Sequence, residues 1–352
     1  MPALLGVDPL HAMTSPRFED VVSRYPSLRI AVLGDFCLDR YFDIDPARAE
    51  TSIETGLPVH NITRVRCQPG AAGTILNNLV ALGIGTIHAI GIAGEDGEGF
   101  ELVRALNVLP GVDASGIVQS PSRRTFTYTK PLLHEPGHPP RELSRLDIKN
   151  WDATPGELSA KVAAHLAGVA QSLDALIIMD QVDVPDTGVV TRPVLHAVGA
   201  VAAASPVLPI LADSRRSLRG FPPSIFKMNA AELALLSGRP SLHLPGVLQA
   251  AEALALENQR PVFITMAERG IVGAAPYQAA LHQPALPVRG PIDVVGAGDS
   301  VTANLAAALA AGANLQLAMH LAMAAAHCVV HQLGTTGTAS VAQLREIMSR
   351  EA

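Results

Sequence analysis

The chain has 352 residues, is 48% hydrophobic and carries a net charge of −6, enough apolar material for a large core in one or two domains. Charges of both signs are spread without a basic block and aromatics make up only 4%, which argues against a nucleic-acid surface built on cationic runs and base stacking. Cys37, Cys67 and Cys328 lie far apart with no CxxC spacing, so no disulfide framework or cysteine metal site is expected and the reading is a reduced, cytoplasmic protein.

Residues 1–28 lack a basic start followed by an apolar core and read as an extension with one short helix near 16–24, not as a signal peptide. "LRIAVLGD", 28–35, is an apolar run ending in glycine and reads as a buried strand. From 36 to 68 polar and apolar residues alternate, the pattern of half-exposed strands beside a main sheet. Residues 70–83 are glycine-punctuated and then helical, 86–94 are a strand, and "EDGEGFELVRALNVL" is a helix. "RRTFTYTKPLL" and "ELSRLDI" read as strands joined by a proline-rich turn. A βα rhythm follows: strand 175–180, helix over roughly 187–204, strands 207–213 and 225–229, and a helix closed by Gly238. "PVFITMAERGIVGAAP" is a strand pair, and the alanine-rich stretch 301–330, broken by "AGANLQ", fits two packed core helices and no membrane span. Alternation of this kind implies an α/β fold with a mostly parallel sheet covered on both faces.

Gly34-Asp35, Asp180, Asp213 and Asn229 fall at the carboxyl ends of these strands, the edge where open α/β sheets bind ligands. "DVVGAGDS", 293–300, is a glycine turn that opens a helix. Gly296, Ala297 and Gly298 there would aim N–H groups at an anion, with the positive end of the helix behind them. Asp299 in that first turn is either a cap or the base that takes a proton from an attacking hydroxyl. Asn229 and Glu232, three apart, share one face of a starting helix, as an N-cap with a first-turn acid or as a magnesium-organising pair.

As a set, "DVVGAGD", "NAAE", "TMAERG", "LGDFCLDRYF" and "LGTTGTAS" resemble the ribokinase-like (PfkB) carbohydrate kinase family over roughly residues 28–350. Within it the chain looks most like the kinases that phosphorylate D-glycero-β-D-manno-heptose 7-phosphate. The resemblance implies a three-layer α/β/α domain over 29–350 with a small β lid from about 39–67 and 123–147. It implies an ATP- and Mg²⁺-dependent transfer to a sugar or sugar-phosphate hydroxyl, and a homodimer through the lid. Asp299 would be the general base, and Gly296, Ala297 and Gly298 the anion hole. Asn229 and Glu232 would organise Mg²⁺ through water. Thr265, Glu268, Gly270, Met323 and His327 would line the nucleotide side. Asp39, Gly70, Thr74, Lys130 and Asp180 would meet the acceptor. Gly334, with Asp293 and Val295, matches a region that binds a monovalent cation, K⁺, in many relatives.

The departures cluster on the acceptor side. "PGAAGT" stands where the family has P-G-G-A-A-N, so Ala71 and Thr74 replace a glycine and the asparagine. Asp183 takes the place of a lysine and Arg215 stands near; Lys and Arg are not equivalent. Arg123, Arg124, Lys130, Arg141 and Arg145 either hold an anionic substrate or are solvated strand-edge charges. His327 and His331 have the spacing of a metal pair but no third ligand. A kinase for another sugar or a nucleoside, and a non-catalytic nucleotide- or sugar-binding module on the same fold, stay open.

Overall fold

A computed structural model describes residues 17–238 and 243–351. After a short helix, α1 (Phe18–Val22), the apolar run forms β1 (Arg29–Gly34) at the heart of the main sheet. Its side chains alternate: Ile30 and Val32 enter one core cluster, Ala31 and Leu33 the other, as the two-residue period of a strand requires. The chain then leaves the main sheet at Asp35 and runs out as β2 (Phe36–Ile44), passes a small ribbon of β3 (Glu50–Thr51) and β4 (Pro58–Val59), and returns as β5 (Ile62–Ala71) into α2 (Ala72–Ala81).

The βα alternation follows: β6 (Thr86–Gly94), α3 (Gly97–Asn107) and β7 (Val112–Ser120). A second excursion supplies β8 (Thr127–Leu133), β9 (Arg141–Glu142) and β10 (Leu146–Ile148). The chain then alternates through α4 (Gly156–Val169), β11 (Ala175–Asp180), α5 (Arg192–Ala204), β12 (Ile210–Ser214), β13 (Ile225–Asn229) and α6 (Ala230–Ser237). After α7 (Leu244–Asn258) come β14 (Val262–Thr265), β15 (Ile271–Ala274) and β16 (Leu281–Gln283), then α8 (Ala297–Ala310), α9 (Leu315–Val330) and α10 (Val341–Glu351).

The main sheet has nine strands in the order β16-β15-β14-β13-β12-β11-β1-β6-β7. From β7 to β14 every pair is parallel; β15 and β16 are antiparallel additions at one edge. Helices α2, α3, α8 and α9 pack on one face and α4 to α7 on the other, which is why the central strands are apolar on both sides. The second sheet, β10-β8-β2-β5 with β9 on β8, stands at one end of the first. It pairs β2 with β8 in parallel, bringing Tyr41 opposite Lys130, and β2 with β5 antiparallel, bringing Cys37 opposite Gly70.

Two boundaries differ from the sequence reading. α5 begins at Arg192 after a Thr191 N-cap, not near 187. The preceding segment is instead held open by Asp35, whose carboxylate accepts the N–H groups of Gln181 at 2.8 Å and Val189 at 2.7 Å. The strand expected from 207 starts at Ile210. Of the expected 1–28 extension, residues 1–16 lie outside those described, while Val21, Tyr25 and Leu28 are buried in the core. Among the described residues no helix is long and apolar enough to cross a membrane.

Candidate active site

The turn before α8 is tied down by a single carboxylate. Asp293 Oδ1 accepts the Val295 N–H at 3.0 Å and Oδ2 the Gly334 N–H at 3.2 Å, while its own N–H donates to Val330 O at 2.8 Å. Gly296 then turns the chain with φ +80°, a conformation that costs a side-chain-bearing residue roughly 1 kcal/mol or more. Ala297 donates back to Val294 O at 3.2 Å. The helix behind it leaves the first-turn N–H groups without intrahelical acceptors, and Asp299 stands in this turn, partly buried.

A buried ammonium faces the same turn. Lys227 on β13 is only 6% exposed and donates to Asp213 Oδ2 of β12 at 2.7 Å. Thr302 Oγ1, one turn into α8, donates to the same oxygen at 2.9 Å. A Cβ on Gly298 would lie 3.3 Å from Lys227 Nζ, so the bare glycine lets the ammonium approach the helix N-terminus. Burial, then the charge of Asp213, push the Asp299 carboxyl up to about 7; Lys227 opposes them. A carboxylate held near neutrality beside an anion cradle has the proton affinity of a working base.

Asn229 and Glu232 form a capping box at the start of α6. Asn229 Oδ1 accepts from the N–H groups of Ala231 and Glu232, both at 2.9 Å, and Glu232 Oε2 accepts from the Asn229 N–H at 2.7 Å. The cap is therefore real, and it leaves Glu232 Oε1 outside the box. Burial raises the Glu232 carboxyl and Asp213 adds to it; the Asn229 N–H, Lys227 and Arg215 pull the other way. Asp213, Glu232 and Asp299 thus gather around one lysine. Hard oxygens of this kind, not arranged as a closed cage, suit only a cation that keeps most of its waters.

Asp299 also feels the charge of Asp39 on the second sheet. Asp39 on β2 is buried, and burial raises its carboxyl against the pull of Lys130 and Arg145. Gly70 on β5 meets it so closely that a Cβ would stand 2.7 Å from the Asp39 carboxyl carbon and 2.8 Å from Cys37 Sγ. Cys37 feels the charges of Asp39, Asp299 and Asp35 together, so these residues share one neighbourhood. Thr74, buried in the first turn of α2, puts its methyl 3.4 Å from where a Gly296 Cβ would be. Lys130 lies over the Tyr41 ring, 5.1 Å from its centre, and Arg66 lies 4.9 Å from the same centre.

Asp180, expected to meet the acceptor, lies at the buried end of β11. It is fully buried, and its Oδ2 accepts from Ser214 Oγ at 2.7 Å and Arg216 Nη2 at 2.9 Å. Oδ2 thereby braces the 214–216 turn, while the buried Oδ1 has no hydrogen-bond partner among the described residues. Arg123 is also buried, donating to the carbonyls of Asp152 and Thr187, and Arg145 is forked onto Asp147 at 2.7 and 2.8 Å. Neither is a free cation for a ligand.

A cavity of about 550 Å³ is lined by Asn229, Thr265, Glu268, Gly270, Ala297, Gly298, Met323 and His327, with Leu286, Val288, Ile292 and Val301 as its apolar wall. It has the size and lining of a small-molecule site. The His327 and His331 rings are 4.6 Å apart, but His331 Nδ1 bonds His327 O at 2.7 Å and its Nε2 accepts the Arg289 N–H at 3.4 Å. Both His331 nitrogens are taken, so the pair is not a metal clamp. Among the described residues no three His, Cys, Asp or Glu side chains converge as a metal cage.

Residues 153–342 match the model of the family described as pfkB family carbohydrate kinase. The chain belongs to that family. This pfkB kinase is 31% identical to the bifunctional protein HldE of Gluconobacter oxydans, over 92% of its own length and 64% of the relative's. It is likewise 31% identical to HldE of Azotobacter vinelandii, over 96% and 66%. The chain thus spans about two thirds of the length of these relatives. Its fold is ribokinase-like: ribokinase of Arabidopsis thaliana, solved with ribose and ATP, superposes with TM-score 0.64 at 17% identity, covering 92% of this chain and 97% of that one. Phosphofructokinase-2 of Escherichia coli, solved with substrates and products, gives 0.67 at 17%, covering 92% and 98%.

Sequence reasoning missed Lys227, Thr302 and Cys37 as parts of this pfkB kinase site. Lys227 had a signal: a lone lysine inside the apolar strand "IFKMN" must bury a charge or find a partner. Thr302 and Cys37 had a weaker one: Thr302 falls three residues after Asp299 on the helix and Cys37 two before Asp39 on the strand, each on the same face as its neighbour.

Proposed function

We infer that this kinase transfers the γ-phosphate of ATP to a hydroxyl of a sugar. The observation that carries the reading is the placement of Asp299. Its carboxylate stands on the first turn of α8, next to Ala297 and Gly298 of the large cavity's lining, and shares its electrostatic neighbourhood with Lys227, Asp39 and Cys37. A hydroxyl bound against Asp39 would present its proton to Asp299. The N–H groups of the helix turn and the Lys227 ammonium would hold the charge that spreads over the phosphoryl oxygens in flight. Asn229 and Glu232 would hold Mg²⁺ through water, and that ion would neutralise phosphate charge as the bond breaks. Asp293, already gathering the 295 and 334 backbone, would place the carbonyls around a K⁺ ion. The apolar wall of the cavity would take the nucleotide base.

The HldE relatives make a heptose the first acceptor to try. The exposed Ile53, Leu57, Val65 and Leu146 of the outer strands and their connections would bury against a second copy and close a homodimer. The kinase would work in the cytoplasm, where ATP is supplied. ADP release from ATP and Mg²⁺ across heptoses, hexoses, their phosphates and nucleosides tests the reading. Release that depends on a sugar acceptor supports it. ATP binding without acceptor-dependent release from any of them would favour a non-catalytic binding module, and release with nucleosides alone would move the acceptor class.

A further inference from the structure

Cys37, which stands against Gly70 beside Asp39, also lines a small recess of about 20 Å³ whose wall includes Asp35, Tyr128, Lys149, Trp151, Gln181 and Asp183. Two features of this recess bear on what the far end of an acceptor can be. The first is size: the closed part of the space holds about one water-sized group, so a hydroxyl fits it more readily than the four oxygens of a phosphate ester. The second is charge. Lys149 Nζ donates to Asp183 Oδ2 at 2.9 Å, and Arg215 Nε lies 3.3 Å from Asp183 Oδ1. Lys149 also has Asp147 at 4.0 Å, and Arg145, the next cation along, is forked onto Asp147. The hydrogen bond from Lys149, helped by Arg215, holds the Asp183 carboxyl below the usual carboxylate range, so it is ionised at neutral pH. Asp35, part of the same wall, has its carboxylate between the Gln181 and Val189 N–H groups. Lys130 is not part of this lining; it lies over Tyr41.

The cations that would meet a phosphate here are therefore already bound to carboxylates, and a phosphate dianion would have to displace Asp183 to reach them. The remaining lining adds Phe126, Val182 and Val184 to an indole, a phenol ring and amides, and with no second cation among the described lining residues it suits a neutral end. We propose that Asp183, by occupying Lys149 and Arg215, makes this enzyme select an acceptor whose end remote from the reacting hydroxyl is a free hydroxyl and not a phosphate ester. The proposal rests on the sugar-kinase reading above and narrows it: the relevant acceptors are unphosphorylated sugars, made by reactions that leave or restore a free terminal alcohol.

Trp151 is the only tryptophan of the chain and lines the recess, so its fluorescence reports filling without any turnover. Two matched pairs serve as probes: D-glycero-D-manno-heptose with its 7-phosphate, and D-mannose with its 6-phosphate. In the wild type the neutral member of a pair should bind at least tenfold more tightly. Asp183→Asn, at a half-exposed position, should free Lys149 and Arg215 and cut that ratio to threefold or less. Asp183→Glu, which keeps the charge, should retain the preference. Equal or tighter binding of the phosphate ester to the wild type overturns the proposal. So does a ratio that Asp183→Asn leaves unmoved, and so does a Trp151 signal that neither member of either pair changes. ADP release measured alongside separates the two readings. The expected binding pattern with no acceptor-dependent ADP would sink the catalytic reading and leave the selectivity standing.

Discussion

In the proposed transfer Asp299 and Lys227 divide the chemistry between a group that must be free of its proton and one that must keep it. A carboxyl raised to about 7 is a base only when deprotonated, so kcat/KM should climb as pH rises through about 7 and level off above it. A pH–rate profile of the wild type with saturating ATP checks this; a flat profile from pH 5.5 to 8.5 would contradict it. Lys227 has a structural task as well. With it gone, the Asp213 carboxylate would keep only the Thr302 hydroxyl. Lys227→Met should therefore cost about 3–5 kcal/mol of stability, measured by urea unfolding, and Lys227→Met with Asp213→Leu should recover part of that loss. A cost under about 1 kcal/mol for the single variant would mean that the pair is not buried as described.

The helices and strands fix where these groups stand, and their legibility in the sequence varied for physical reasons. β6, β11 and β13 coincide with the runs read as strands, because each is a short apolar block flanked by turn residues. α6 ends where Gly238 takes the left-handed conformation, and begins on the Asn229–Glu232 box. Asn229→Ala should cost about 1 kcal/mol of stability through the lost cap, and the urea midpoint would show it; an unchanged midpoint would refute the cap. β7 was not read, since "VDASGIVQS" mixes a glycine and four polar residues into a strand of nine. α4 and α7 escaped because their alanine-rich faces blur the helical period. The glycine turn and the capping pair were legible as local motifs. The burial of Asp180 and the approach of Lys227 to Gly298 were not, because both depend on parallel neighbours far away in sequence, β12 and α8. Gly70 is a case between: its place in the motif was read, but only the β2–β5 register shows that its missing side chain makes room for Asp39.

Several buried carboxylates give the folded chain an unusual response to pH. Asp35 and Asp299 are each pushed up to about 7, chiefly by burial, with Asp180 adding to the first and Asp213 to the second. The folded state binds these protons more tightly than the unfolded chain, so their contribution to stability falls as pH rises from about 4 to about 7. Asp43, Asp96, Glu101 and Asp113 are shifted downward, and their contribution is present above about 4 and lost below it. Between pH 5.5 and 8 the first group governs. The Tm of the ligand-free protein should be lower at pH 8 by about 3 °C or more, and Asp299→Asn should flatten the slope. A Tm that rises over the same interval would contradict this picture of the interior.

The arrangement of main sheet, second sheet and helix N-terminus converges on one proton. The measurement that reaches it is a single-turnover transfer of the γ-phosphate from ATP to a sugar acceptor, followed in the wild type and in Asp299→Asn, with ATP affinity measured in both. We predict a loss of about a thousandfold or more in the transfer rate, with ATP affinity unchanged within a few-fold. Transfer by the variant within tenfold of the wild type would remove Asp299 as the base and reduce it to a residue of the helix turn.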